Sequence, residues 1–352
     1  MIPSDNMMKV YIYSGTGELG IQERERPAMP EGGAVAKVRY TSICGTDMRT
    51  YVHGNEHILA PRILGHEALY ELEEVSTEQA DKFKPGERII VAPAIGCGQC
   101  VSCRRGKTNM CNDLHTIGFE YDGTFAEYCA IPRQAFLMKN VIKVADAIQD
   151  IEACVAEPVA CAINGQSFLN IQPGENVLVF GAGYLGCIHS ELTLIKGAER
   201  VIVAEISPAR RKQVKDAIPE VAVCDPSEGD LAERISDLTG GLGVDVVITA
   251  CPVGKTQAQA LEVVNKSGRI SLFGGLAGES KGFLDSNRIH YKELSVYGVH
   301  ASTPDQNRQA LRLMEEGNLK VSKYLSIFRF DEIETAFQRL LSESVVKAVL
   351  KV

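Results

Sequence analysis

Four cysteines stand within fifteen residues, at Cys97, Cys100, Cys103 and Cys111. The first three follow a CxxCxxC spacing and the fourth closes the group eight residues later. Each CxxC can turn two sulfurs toward one point, and four thiolates suit a tetrahedral zinc at about 2.3 Å. Such a set leaves no open position for water or substrate, so this lobe, at about 95–112, is expected to be structural. An iron–sulfur cluster and unrelated buried thiols are the rival readings. Any chemistry must then lie elsewhere in the chain.

A second constellation is more dispersed. Cys44-Gly45-Thr46-Asp47 ends an alternating segment, Gly65-His66-Glu67 opens another, and Glu157-Pro158 precedes an expected helix. A thiolate, an imidazole and a carboxylate make an open zinc site with one position free for water or substrate. Taken singly, each has a plainer reading: a buried small thiol, a satisfied core histidine, a helix N-terminal acid.

A third group has the spacing to cradle a phosphate by its backbone, the plainer reading being a glycine turn in a fold without nucleotide. Val177–Phe180 is a short apolar run, as in a parallel strand buried on both faces. Gly181-Ala182-Gly183-Tyr184-Leu185-Gly186 follows as GxGxxG, and an expected helix comes next. The first glycine makes the turn, the second admits a pyrophosphate, and the third lets helix pack on strand. The helix N-terminus then faces the phosphates. A second strand, Val201–Ala204, runs into Glu205, nineteen residues after Gly186. A carboxylate there accepts hydrogen bonds from a ribose and repels a 2′-phosphate, which favours NAD over NADP. Arg210 and Arg211 follow closely and weaken that preference.

These residues need elements to hold them. Val221-AVC, Asp245-VVITA, Arg269-ISLFG and Leu294-SVYG read as further strands, and 230–239 and 255–265 as helices. Ser207-Pro208 reads as an N-cap with Pro at the first helical position. Together they predict a doubly wound parallel sheet over about 165–300. The first 160 residues predict a β-rich, partly antiparallel region. Ala34-VAKVRYTS there reads as a half-exposed strand, and Lys84-PGERIIV as a turn feeding another. The tail predicts helices at about 304–316 and 332–342, the second capped by Asp331 and Glu334, and a closing strand in VVKAVLKV.

The chain has 352 residues, 45% hydrophobic and 23% charged, enough for two domains with sizeable cores. Its net charge of -8 argues against a nucleic-acid partner. The small basic patch of Arg104, Arg105 and Lys107 reads more simply as a solvated loop than as a nucleic-acid zinc module. No apolar run approaches the ~20 residues needed to span a bilayer. The N-terminus has no basic segment followed by an apolar one, so a cytoplasmic protein is expected. Eleven cysteines without an export signal speak for thiols and metal, not for disulfides.

With these motifs in place, the chain resembles the zinc-containing medium-chain alcohol dehydrogenases, nearest the sorbitol (polyol) and threonine dehydrogenase branch. CGTD at 44–47, GHE at 65–67, the four-cysteine lobe, GTFAEY at 123–128, EP at 157–158 and GAGYLG at 181–186 carry the resemblance. It implies a Rossmann domain, 161–299, inserted into a β-rich GroES-like catalytic domain, 1–160 and 300–352. It implies two zinc ions per chain, the catalytic one on Cys44 and His66 with Glu67 or Glu157, between which the sequence does not choose. It implies hydride transfer from a secondary alcohol to NAD+, with Thr46 passing the alcohol proton. The backbone at Phe273-Gly274, and His300, should meet the nicotinamide half. Members of this size often form tetramers or dimers, and Leu294-SVYG could extend a sheet across a dimer.

The substrate is less defined. Polyol dehydrogenases often carry Arg-Tyr where this chain has Ala301-Ser302, which puts plain sorbitol in doubt. Tyr51, His53, His57, Phe119 and Glu120 are candidates for a polar pocket. Arg49 and Arg62 are the nearby candidates for a phosphate. The expected substrate is a small-molecule alcohol, whether polyol, sugar, sugar acid or sugar-alcohol phosphate. The alternatives are an L-threonine-like amino alcohol, or a nucleotide-binding sensor that has lost the reaction.

Overall fold

The computed structural model describes residues 6–276 and 284–352. The N-terminal stretch read above for a leader lies partly outside them. The chain forms two compact units. One comprises the described residues up to Ala160 together with Ala301–Val352, and the other is Cys161–His300.

The first unit is built on a seven-stranded sheet. Its order is Val141–Lys143, Arg88–Val91, Glu67–Val75, Ala34–Ser42, Lys347–Lys351 and Leu325–Arg329, with Tyr128–Ile131 also pairing to Ala34–Ser42. The pairings are antiparallel except between the last two strands. The strand Ala34–Ser42 is more buried than its alternation suggested, because it has neighbours on both edges and six of its nine residues are buried. The closing strand, Lys347–Lys351, pairs with it through Val349↔Ser42 and Leu350↔Thr41, so the chain end completes the sheet's centre. A smaller antiparallel sheet joins Glu18–Glu25, Met7–Gly15 and Arg62–Ile63. Tyr11 and Ile12 of this sheet pack in one buried cluster with Phe125, Phe337 and Leu350.

The second unit is a six-stranded parallel sheet in the order Ala222–Cys224, Arg200–Ala204, Asn176–Phe180, Val244–Thr249, Val264–Leu272, Ser295–Gly298. In chain order this is 3-2-1-4-5-6, the doubly wound Rossmann arrangement. Leu178, Phe180, Ile202, Val247 and Ile270 fill its core. The helix Pro208–Ala217 starts as expected, with Ser207 Oγ accepting from Arg210 N. Asp230 caps Leu231–Leu238.

Two local expectations fail. The strand expected from Arg269 begins at Val264, since the helix Gly254–Val263 stops early and Val264 pairs with Val244 across a register shift. The Asp331–Glu334 cap does not form. A 3-10 turn, Phe330–Glu332, precedes the helix Ile333–Leu341, and Asp331 instead binds the Arg329 guanidinium at 3.0 Å. Among the described residues no helix is long and apolar enough to cross a membrane.

Candidate active site

The register of two adjacent strands brings the dispersed metal candidates together. Ser42 pairs with Glu67 across the sheet. Cys44 lies just beyond one strand and His66 just before the other. Cys44 also opens the helix Gly45–His53 as its N-cap. Ligand atoms of Cys44, His66 and Glu67 all lie within 4.8 Å of one another. Glu157 is not in that set. It sits in the first turn of the helix Ala156–Ser167 rather than ahead of it, and its charge acts on His66.

Glu67 is fully buried. Its Oε2 accepts from Lys347 Nζ at 2.5 Å and from Ser42 Oγ, while its Oε1 has no hydrogen-bond partner among the described residues. Lys347 also donates to the Ile43 carbonyl at 2.9 Å. Burial alone would push the Glu67 carboxyl up, but Lys347 and His66 outweigh it and hold it below the ordinary range. Asp47 is buried, with Oδ2 accepting from Cys44 N at 2.9 Å and Oδ1 3.7 Å from His66 Nδ1. Burial raises the Asp47 carboxyl. Burial would lower His66, yet the negative field of Asp47 and Cys44 prevails and raises it well above the ordinary imidazole value.

This donor set fits a divalent cation. It combines a thiol, an imidazole and a buried carboxylate oxygen without a partner, in a field negative enough to hold a proton on His66. Three mixed ligands with a further position open is the pattern of a catalytic zinc. Thr46, half-buried beside the set, accepts from Arg49 Nη2 at 3.2 Å.

The four sulfurs of Cys97, Cys100, Cys103 and Cys111 also lie within 4.8 Å of one another. A two-stranded clip, Ala94–Ile95 with His115–Thr116, closes the loop that carries them. Cys111 Sγ accepts from Cys97 N at 3.2 Å and Asp113 N at 3.3 Å. Backbone N–H groups of Cys103 and Asn112 lower the Cys100 thiol to about 6, whereas burial raises Cys103 to about 12. Four sulfurs and no other donor fit a closed zinc site.

The pocket candidates separate. Phe119 packs against the His66 ring, with centroids 6.0 Å apart. Tyr51 packs edge-on to Phe337, Arg62 pairs with Asp122 at 3.1 Å, and Glu120 Oε2 accepts from Thr116 N at 2.7 Å. His53 and His57 are exposed.

In the second unit the glycine turn sits where expected. Gly181 follows the first strand, Gly183 is the N-cap, and the helix runs Tyr184–Ile195, with Leu185 and Gly186 in its first turn. Glu205, at the end of the next strand, reaches back under that turn. Its Oε2 accepts from Ala182 N and its Oε1 from Ser207 N, each at 2.8 Å. A carboxylate has about four lone-pair sites, so acceptor capacity remains. Arg211 is held by the carbonyls of Glu205 and Ile206 and by Asp225. Arg210 is half-buried on the same helix. Gly274 N donates to the Thr249 carbonyl at 2.7 Å, which fixes the Phe273-Gly274 turn at the sheet's end. His300 is exposed, and its carbonyl accepts from Asn164 Nδ2 at 3.2 Å.

Sequence reasoning passed over Lys347 and Ser42. The available signal was a lysine within the otherwise apolar closing segment VVKAVL.

Comparison with known proteins agrees with this architecture. Residues 30–143 match the alcohol dehydrogenase GroES-like domain and residues 185–316 the zinc-binding dehydrogenase domain. The L-galactonate-5-dehydrogenase of Escherichia coli K12 is 31% identical over 346 residues, covering 97% of this chain and 98% of that protein. The L-threonine 3-dehydrogenase of Pyrococcus abyssi is 33% identical over 335 residues, covering 93% of each. A protein of Sinorhizobium meliloti 1021, described as a zinc-binding dehydrogenase and bound to NADP, superposes with a TM-score of 0.89. It has 28% identity and covers 98% of this chain and 99% of that one. The chain therefore belongs to the zinc-containing medium-chain alcohol dehydrogenases, in the branch of the polyol and threonine dehydrogenases. It is an oxidoreductase of that zinc-binding dehydrogenase family, and solved structures similar to it hold NADP or NADH.

Proposed function

We propose that the protein oxidises a secondary alcohol on a polyol, sugar or sugar acid to a ketone, with NAD+ as hydride acceptor. The observation that carries the reading is the convergence of Cys44, His66 and Glu67 ligand atoms within 4.8 Å, with Glu67 Oε1 buried and unpartnered. When bound, zinc supplies a Lewis acid that lowers the pKa of an alcohol, and the dinucleotide supplies the hydride acceptor. Cys44 and His66 hold the metal, completed by Glu67 or Glu157. Asp47 steadies the Cys44 backbone and sets the field at His66, as partners behind metal ligands do. Thr46 takes the alcohol proton and passes it on, with Arg49 fixing its hydroxyl.

Cys97, Cys100, Cys103 and Cys111 hold a second, structural zinc, which makes two per chain. Gly181, Gly183, Tyr184, Leu185 and Gly186 receive the pyrophosphate. Glu205 takes the adenosine ribose and disfavours a 2′-phosphate, with Arg210 nearby. Phe273, Gly274 and His300 serve the nicotinamide end. The strand Ser295–Gly298, at the sheet edge, is the surface we assign to a homo-oligomeric contact.

The L-galactonate relative supports the sugar-acid class. The threonine dehydrogenase relative favours L-threonine as a second reading. Glu120, the carboxylate that would meet an ammonium, accepts from Thr116 N and keeps further acceptor capacity. The test is NAD+ reduction by zinc-loaded protein across free polyols, sugars, sugar acids, their phosphates and L-threonine, with Cys44→Ser alongside. Turnover on a sugar acid or polyol that Cys44→Ser abolishes, with the fold intact, is the expected result. Near-full activity in Cys44→Ser would overturn the metal assignment. Silence across the panel from protein that binds two zincs and NAD would overturn the substrate class.

A further inference from the structure

One buried titratable group has no part in the reaction described so far. His189 lies on the dinucleotide helix Tyr184–Ile195 and is completely buried. Its ring packs edge-on to Phe273, with centroids 4.4 Å apart and planes at 83°. Gln166, from the helix Ala156–Ser167, fixes the other side. Its Nε2 lies 3.3 Å from His189 Nδ1 and donates to the His189 carbonyl at 2.8 Å and to Thr193 Oγ1 at 3.1 Å. Thr193 Oγ1 in turn donates to that carbonyl at 2.7 Å.

Gln166 Nε2 carries two hydrogens for its three neighbours, and His189 Nε2 has no nitrogen or oxygen partner among the described residues. Burial and the nearby Lys196 charge lower the imidazole to about 3, so the ring stays neutral across the working range. An edge-to-face aromatic pair contributes about 0.5–1.5 kcal/mol beyond area burial. An imidazole packed edge-on therefore holds the Phe273 ring in a geometry that an aliphatic side chain does not reproduce.

Two close approaches make this packing specific. A Cβ at Gly165 would lie 2.8 Å from Phe273 Cδ2 and 3.1 Å from His189 Cε1, so both rings rest over a notch that only glycine leaves open. A Cβ at Gly274 would lie 2.5 Å from the Cys251 carbonyl oxygen, so the turn is pressed against backbone on its other side. The Phe273-Gly274 turn is thus gripped through the Phe273 ring and through the Gly274 backbone.

We propose that His189 is a positioning residue for the nicotinamide end of the cofactor site, acting through Phe273 to fix the 273–274 turn against the dinucleotide helix. This rests on the reading that the turn meets the nicotinamide half. The experiment compares binding of NAD+ with binding of ADP-ribose, which keeps the adenosine and pyrophosphate but lacks nicotinamide. Calorimetric titration is done on the wild type, His189→Leu and His189→Phe. The expected result is a loss for NAD+ of about tenfold in His189→Leu, with ADP-ribose affinity kept within about twofold. His189→Phe keeps a ring and should lose less. It also provides the comparison if the leucine variant does not fold. Equal losses for both ligands, or no loss for either, would overturn the role of His189. Wild-type protein that binds neither ligand would instead overturn the dinucleotide reading on which the proposal stands.

Discussion

Two glycines three residues apart should separate folding from cofactor binding. Gly183 has φ −68° and ψ 178°, extended backbone open to any residue, and a Cβ there would meet nothing within 4 Å. Replacing it with alanine reduces unfolded-chain entropy, worth about 0.4–1 kcal/mol in favour of folding. The N-cap preference for glycine over alanine offsets part of that. Gly183→Ala should therefore match the wild type in stability to within about 0.5 kcal/mol. Yet its methyl points into space that a pyrophosphate would need, so NAD+ binding should weaken at least about tenfold, or 1.4 kcal/mol. Gly186 is the opposite case. Its Cβ would lie 2.0 Å from the Gly181 carbonyl oxygen. Helix and strand would have to part by about 1 Å, and overpacking of this kind costs about 1–3 kcal/mol or more. Gly186→Ala should thus lower the melting temperature by roughly 3–10 °C. Ligand-free calorimetric melting and NAD+ titration read both effects. Wild-type NAD+ affinity in Gly183→Ala, or undiminished stability in Gly186→Ala, would refute the assignment of this turn.

Other consequences can be tested as directly. Lys347→Met leaves the buried Glu67 carboxylate without its cation and should cost about 3–5 kcal/mol in urea unfolding at neutral pH. Because Glu67 is held below its ordinary value, the pair's contribution is present above about pH 4.3 and is lost as pH falls through the folded value. The deficit should therefore shrink in acid, and Lys347→Met with Glu67→Gln should recover much of it. Strict additivity of the two substitutions would count against a direct pair. In the four-cysteine lobe, Cys103 is raised to about 12 and so carries its proton at neutral pH. Zinc uptake there should release protons, and affinity should fall as pH is lowered. Uptake without proton release, measured in weakly buffered solution, would show that the cysteines are not the ligands.

What could be read directly from the sequence was local. The dinucleotide turn is a strand, three glycines and a helix in one continuous stretch, and Glu205 follows at the end of the next strand. The four-cysteine lobe is equally compact. Lys347 was invisible for the opposite reason. It meets Glu67 across 280 residues of chain, through the pairing of the closing strand with Ala34–Ser42. Neither residue signals the other without that register. Polar starts also mislead. Val264 and Asn265 fall within the helix expected over 255–265, and Lys266, Ser267 and Gly268 lie between it and the strand expected from Arg269, yet all five belong to the strand that begins at Val264. The Asp331–Glu334 spacing suits a cap, but a neighbouring guanidinium reaches Asp331 first and the turn tightens ahead of the helix. The placement of His189 beside Phe273 needed three elements to meet, and no one segment carries that information.

The electrostatics of the first unit give the metal site its logic. Cys44, Asp47, Glu67 and Glu157 can each carry a negative charge in largely buried surroundings, and Lys347 offsets one of them. A divalent cation offsets two more. Buried charge left uncompensated is relieved by taking up protons. The raised Asp47 and His66 values express that pressure, one toward a neutral carboxyl and the other toward a charged imidazole. Metal and proton therefore compete for the same field. The competition is divided between two groups with opposite shifts. His66, among the proposed metal donors, titrates above the ordinary imidazole value, and Glu67, tied to Lys347, titrates below the ordinary carboxylate value. The Lys347–Glu67 pair, ionised down to below the ordinary carboxylate range, ties the closing strand to the strand that follows His66, so acid strong enough to protonate Glu67 should weaken the frame of the site as well as its donor set.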